Sequence, residues 1–303
     1  MHKGDKILVI ILSCCLAIGC ISHYTTTTES SSAVKEPDSF TRGKNLVFNI
    51  CGQCHYNDSA KSFMGLPMHD LPGFMGKVYS ANLTHSVSHG ILTKYTDSEL
   101  RYLLKTGVSR EGKYIPYMIR PNLAEKDLND IVVYLRSSDS ALTAVNKLAG
   151  KTDVNLLGKM ATKIAGKPLL PYKATMSPDE NNSVQYGKYL IDNLACYHCH
   201  SKSILGLNYR EPEKSSGYMQ GGMKFKNPAG KKIYAANLTP DKQTGIGNFS
   251  AEDFRNALIR GVRPDKDSLH APMQKFRHLT NKQADAIFAY LQSLKPKKNV
   301  IKR

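Results

Sequence analysis

The chain has 303 residues, 41% of them hydrophobic and 22% charged, which fits a soluble globular protein long enough for two domains with cores of their own. Its formal net charge is +17, yet no groove-reading motif accompanies the charge, so nucleic acid is excluded as an expected partner. The basic surface suits an acidic docking partner or anionic lipid, or serves solubility alone.

In chain order, His2-Lys3-Gly4-Asp5-Lys6 and the apolar run Ile7 to Ile18 have the layout of a secretory leader, too short for a membrane-spanning helix. Leu16-Ala17-Ile18-Gly19-Cys20 resembles a bacterial lipoprotein cleavage box, which makes 1–19 a signal peptide and Cys20 a lipidated first residue. Ile11-Leu12-Ser13-Cys14 is a weaker second box, and an uncleaved anchor is the alternative. Residues 20–38 include Thr25 to Thr28 and Ser30 to Ser32 and are expected to form a flexible tether.

Two strings then share one pattern: Cys51-Gly52-Gln53-Cys54-His55 and Cys196-Tyr197-His198-Cys199-His200. Thiols one helical turn apart can each add to a vinyl group on a haem edge, and the histidine that follows can bind the iron. With 7 Cys and 10 His in the chain, chance yields one such string about 0.005 times. A shared zinc site is the alternative for two thiol pairs, but zinc ribbons separate their pairs by about 15–20 residues. Here the separation is 145, and zinc has no use for the histidine after each pair. The remaining cysteines, Cys14, Cys15 and Cys20, fall in the leader, so no disulfide framework is expected.

Around these strings the chain repeats itself over 39–140 and 182–298. Gly43, Leu46, Val47 and Ile50 mark an amphipathic helix entering the first string, as Gly187, Leu190, Ile191 and Leu194 do for the second. Tyr79-Ser80-Ala81-Asn82-Leu83-Thr84 and Tyr234-Ala235-Ala236-Asn237-Leu238-Thr239 agree at five of six positions, 155 residues apart, so the second copy has gained ten residues after its string. Thr96 with Glu99 and Ser250 with Asp253 predict capped helices leaving at Gly107 and Gly261. Last helices follow on Leu128, Ile131, Val132, Leu135 and on Ala284, Ile287, Phe288, Leu291, the second capped by Thr280 and Gln283. The connection, 141–181, is expected to be strapped to the domains, and the basic tail from Lys295 to Arg303 to fray.

On these features each repeat resembles a class I cytochrome c domain. The resemblance implies an all-α fold of two tandem domains, covalent haem c in each and export for its attachment. It pairs a small residue of the first helix with an aromatic of the last, here Gly43 with Tyr134 and Gly187 with Tyr290. The second repeat, with Thr239-Pro240-Asp241, Thr244-Gly245-Ile246-Gly247 and Pro272-Met273, most resembles the haem domains of cytochrome subunits of membrane-bound alcohol and gluconate dehydrogenases, which commonly carry three such strings where this chain has two.

The resemblance also supplies the sixth iron ligands: Met273 and, 155 residues earlier, Met118, opposite His200 and His55. Met64 with Met219 and Met68 with Met223 recur at the same offset but follow the strings directly, where the family has no ligand. Met75, His69, His85, His89, His270 and His278 lack such a partner, and His198 is expected at the surface. The implied function is single-electron transfer between a dehydrogenase and an oxidase by an exported, membrane-anchored lipoprotein, with no catalysis of its own. The rival is a dihaem peroxidase, which needs one open sixth position.

Overall fold

The computed structural model describes residues 37–301 except 70, 72–74, 166–171 and 228–229. The leader, Cys20 and the tether up to residue 36 lie outside the described residues. Helix α1 (Pro37–Leu46) begins inside the stretch expected as tether, winds through a π-helical turn (Val47–Cys51) and continues as α2 (Gly52–His55). α3 (Asp97–Thr106) and α4 (Glu125–Leu135) complete the first repeat, and α5 (Leu156–Ala165) lies in the connection. α6 (Ser183–Leu194), α7 (Cys196–His200), α8 (Ala251–Arg255) and α9 (Asn281–Ser293) follow in the second.

α1 packs against α4, and α6 against α9, as the two principal helix pairs. Each crossing is as close as glycine alone permits. A β-carbon on Gly43 would lie 3.0 Å from Tyr134 Cβ, and one on Gly187 2.9 Å from Tyr290 Cβ. The expected small-against-aromatic pairings are therefore present in both repeats.

The expected caps are present too. Thr96 with Glu99, Ser250 with Asp253 and Thr280 with Gln283 all form reciprocal capping boxes, so two orphan amides are satisfied at each start. Gly107 and Gly261 end their helices at φ +74° and +76°, a left-handed turn that costs glycine nothing.

The molecule is mostly helical but not wholly so. β1 (Gly76–Lys77) pairs antiparallel with β2 (Asp153–Val154), and β3 (Lys224–Lys226) with β4 (Lys232–Tyr234). The first ribbon fastens the connection to the first repeat. Thr175 fastens it again, donating to Leu123 O (2.7 Å) and accepting from Lys105 Nζ (2.9 Å). Both ties hold the connection to the first repeat. The tail departs from expectation, because Lys297 N donates to Thr239 Oγ1 (3.1 Å) and Asn299 N to Thr244 Oγ1 (2.9 Å). Side-chain acceptors in the glycine-rich turn hold it where charge alone suggested fraying.

No helix among the described residues is long and apolar enough to cross a membrane.

Candidate haem sites

The second Cys-x-x-Cys-His string forms α7, whereas in the first Cys51 closes the π-helical turn and Gly52–His55 form α2. The approaches differ. Gly43 to Cys51 is eight positions and Gly187 to Cys196 nine. The first repeat winds into the π-helical turn, whereas the second breaks at Ala195, which adopts φ +57°.

Among the described residues no disulfide joins Cys51, Cys54, Cys196 and Cys199. Burial pushes the Cys51 and Cys196 thiols up to about 12. Such apolar surroundings disfavour a free thiolate and suit a neutral, bonded sulfur.

The histidines carry the most informative geometry. His55 Nδ1 donates to the Ala81 carbonyl at 2.7 Å, and His200 Nδ1 to the Ala236 carbonyl at 2.8 Å. A carbonyl only accepts, so the proton sits on Nδ1 and the lone pair on Nε2, the arrangement a metal-bound imidazole requires. His55 and His200 are 6% and 7% exposed, and burial lowers the pKa of both, favouring neutral rings. The donor set therefore fits haem c: two thiols one turn apart and one oriented, neutral imidazole, twice. Among the described residues no three His, Cys, Asp or Glu side chains converge on a bare-ion site, so the two thiol pairs do not assemble into a shared zinc site.

The repeated Tyr-x-Ala-Asn-Leu-Thr motif carries those carbonyls in a turn closed by its Asn and Thr. Asn82 Oδ1 accepts from Thr84 N and Oγ1 (both 2.7 Å), and its Nδ2 donates to Val145 O (2.9 Å). Asn237 Oδ1 accepts from Thr239 N (2.9 Å) and Oγ1 (2.8 Å), and its Nδ2 donates to Lys297 O (2.7 Å). In each repeat the chain returns after its last helix to clamp the turn beside the histidine. Side-chain reasoning missed Ala81 and Ala236, because what acts is a backbone carbonyl. The near-identity of the two hexapeptides was the available signal.

Met118 and Met273 are half-buried against the core, in turns where each amide donates to the carbonyl three residues back at 3.0 Å (Ile115 and His270). The competing pair Met64 and Met219 is an accident of numbering. Leu83 N donates to Phe63 O as Leu238 N does to Met219 O, so the structural counterpart of Met219 is Phe63. Met219 is fully buried core. Met223 lines a cavity of ≈ 240 Å³ beside Cys199, with Tyr117, Leu207 and Phe225. Other candidates are engaged elsewhere: His85 Nε2 donates to Leu135 O (2.8 Å), and His278 stacks on Phe48 with centroids 4.2 Å apart.

His198 corrects an expectation. It is half-buried rather than exposed, its ring edge-on to Tyr197, Tyr209 and Tyr117 (4.6, 5.3 and 6.4 Å). Its Nε2 is buried without a partner. Tyr197 and Tyr209 of its own repeat lie nearest, and Tyr117 of the first repeat adds a third ring.

No family model matches the chain. It is 27% identical over 295 residues to the fructose dehydrogenase cytochrome subunit of Gluconobacter japonicus, covering 89% of this chain and 55% of that one. Over 142 residues it is 30% identical to the cytochrome c subunit of the quinone alcohol dehydrogenase of Gluconobacter oxydans (strain 621H), covering 46% and 27%. Over 121 residues it is 32% identical to the gluconate 2-dehydrogenase cytochrome c subunit of Pantoea cypripedii, covering 39% and 25%. The chain spans about half the length of the first relative and about a quarter of the other two. It resembles the haem subunits of these dehydrogenases, as its motifs suggest.

Proposed function

We propose that the chain is a dihaem c-type cytochrome of two tandem class I domains, passing single electrons between extracytoplasmic partners as the cytochrome subunit of a dehydrogenase. One observation carries this reading: in both repeats the histidine after the thiol pair donates Nδ1–H to the carbonyl of the matching alanine, at 2.7 and 2.8 Å. Haem c bound there supplies a one-electron iron couple. Cys51, Cys54, Cys196 and Cys199 would hold it by thioethers, His55 and His200 by imidazole, and Met118 and Met273 by their sulfurs.

The protein's own part is orientation and exclusion of water. The Ala81 and Ala236 carbonyls fix each imidazole in the metal-binding tautomer. A methionine thioether bound to the iron would raise the reduction potential and keep substrates from it. The net charge of +17 speeds encounter with acidic partners, and a lipidated Cys20 keeps the carrier at the membrane. The dehydrogenase names of the relatives support a dehydrogenase as electron donor; the acceptor proposed beside it is a terminal oxidase.

The test is mass spectrometry and optical spectroscopy of the exported protein. The expected result is two covalently bound porphyrins, a low-spin spectrum and the far-red band of methionine bound to ferric iron. Protein without porphyrin on the thiol pairs overturns the reading. A high-spin haem together with peroxide turnover replaces it with the peroxidase.

A further inference from the structure

We propose that Arg120 is an electrostatic element shared by the two haem sites, a buried guanidinium between them that raises both reduction potentials together. The inference rests on the dihaem reading above.

Arg120 follows Met118 by two residues and is 9% exposed. Its Nη1 donates to Tyr117 O (3.0 Å) and Ile119 O (2.8 Å), within its own loop. Its Nε crosses to the second repeat and donates to Asn193 O at 2.8 Å, three residues before Cys196. One side chain thus ties the loop carrying one proposed axial methionine to the helix end that presents the other haem's first thiol. The adjoining contacts follow the same seam, with Tyr117 edge-on to His198 and Ala124 N donating to Tyr189 Oη at 3.0 Å.

Among the described residues no carboxylate pairs with Arg120; its hydrogen bonds go to backbone carbonyls. A guanidinium keeps its charge at every accessible pH, and carbonyl dipoles offset only part of it. That charge sits on the carbonyls of Tyr117 and Ile119, which flank Met118, and on the carbonyl of Asn193, three residues before Cys196, so it stands beside both sites. The second repeat has no counterpart. Arg120 N donates to Leu104 O as Phe276 N does to Leu258 O, so an apolar ring occupies the matching place. One cation serves two sites.

The sign follows from charge. Reduction adds one electron to a site, so a nearby buried cation favours the reduced form and raises its potential. Burial protects the effect from salt, whereas that of a surface lysine fades beyond a Debye length.

The experiment is a potentiometric titration of the full exported protein beside Arg120→Gln, Arg120→Met and Arg120→Lys, after each has been shown by mass to carry two haems. Wild type with fewer than two haems fails the dihaem reading itself, whatever Arg120 does. With both haems present, Arg120→Gln should lower both midpoint potentials, the drop persisting at high salt, and Arg120→Lys should restore most of it. Arg120→Met, which keeps the volume and removes the charge, is read the same way if the glutamine variant loses haem. Two haems with only one midpoint displaced, or neither, overturns the proposal.

Discussion

Gly187 meets Ala286 with no room for a side chain: a β-carbon there would lie 1.9 Å from the Ala286 carbonyl oxygen. Gly43 repeats the relation against the Asp130 carbonyl at the same 1.9 Å. The obstacle is helix backbone, which cannot swing aside as a flexible side chain can. Alanine would otherwise favour the helix by about 1 kcal/mol, so the two effects oppose and the clash decides. Gly187→Ala is expected to destabilise by about 1–3 kcal/mol. Denaturant unfolding followed by circular dichroism checks this, and an unchanged midpoint would refute the tight crossing.

Met118→Ala and Met273→Ala test the sixth ligands. Each should lower one midpoint potential, leave the other nearly untouched and remove about half of the far-red ferric band. This pattern differs from that expected of Arg120, where one substitution moves both potentials. Met223→Ala is the control, since Met223 lines a cavity beside Cys199 and is not proposed to bind iron. Its far-red band should stay at wild-type intensity, and a loss there would transfer the ligand from Met273 to Met223.

What could be read from the chain followed the chemistry of side chains. Two Cys-x-x-Cys-His strings announce their cofactor, Thr96 with Glu99 announces a helix start, and Gly107 its end. The glycine against an aromatic came from a family resemblance, and the 2.9–3.0 Å approaches to Tyr290 and Tyr134 give its physical reason. Backbone acceptors left no such mark, which is why Ala81 and Ala236 went unseen. Offsets in numbering misled at Met64, because small insertions shift the register between the two copies. The burial of Arg120 depends on how the repeats pack together, since its Nε reaches Asn193 O of the second repeat, which no pattern within one repeat encodes.

Asn237 is 2% exposed and joins three segments: its own turn, Thr244 and the returning tail at Lys297. Asn237→Ala would strand the Thr239 amide and leave the Lys297 carbonyl only the longer bond from Thr239 Oγ1 (3.2 Å), a loss of about 2 kcal/mol. The same turn holds the Ala236 carbonyl on His200. The variant should therefore lose stability and also shift the potential of the second haem alone. Asn82→Ala should do the same to the first. Thermal melts paired with redox titration check both; a melt shift with both potentials unmoved would separate the clamp from the haem.

Asp192 gives the fold a pH dependence. Its side chain is 5% exposed, accepts from Lys188 Nζ at 2.8 Å and leaves Oδ1 buried without a partner. Burial outweighs the lysine and raises the carboxyl from 3.8 to about 6. The folded state therefore holds this proton more tightly than the unfolded chain, and stability falls as pH rises through the interval between those two values. The shift corresponds to about 3 kcal/mol, fully expressed above the upper value and absent below the lower. Asp192→Asn cannot ionise, and Lys188 keeps Glu213 at 3.0 Å as its partner. Denaturant midpoints measured from pH 4 to pH 7 should decline in wild type and flatten in the variant. Equal slopes would show that the Asp192 carboxyl titrates at the same pH in the folded and unfolded chain.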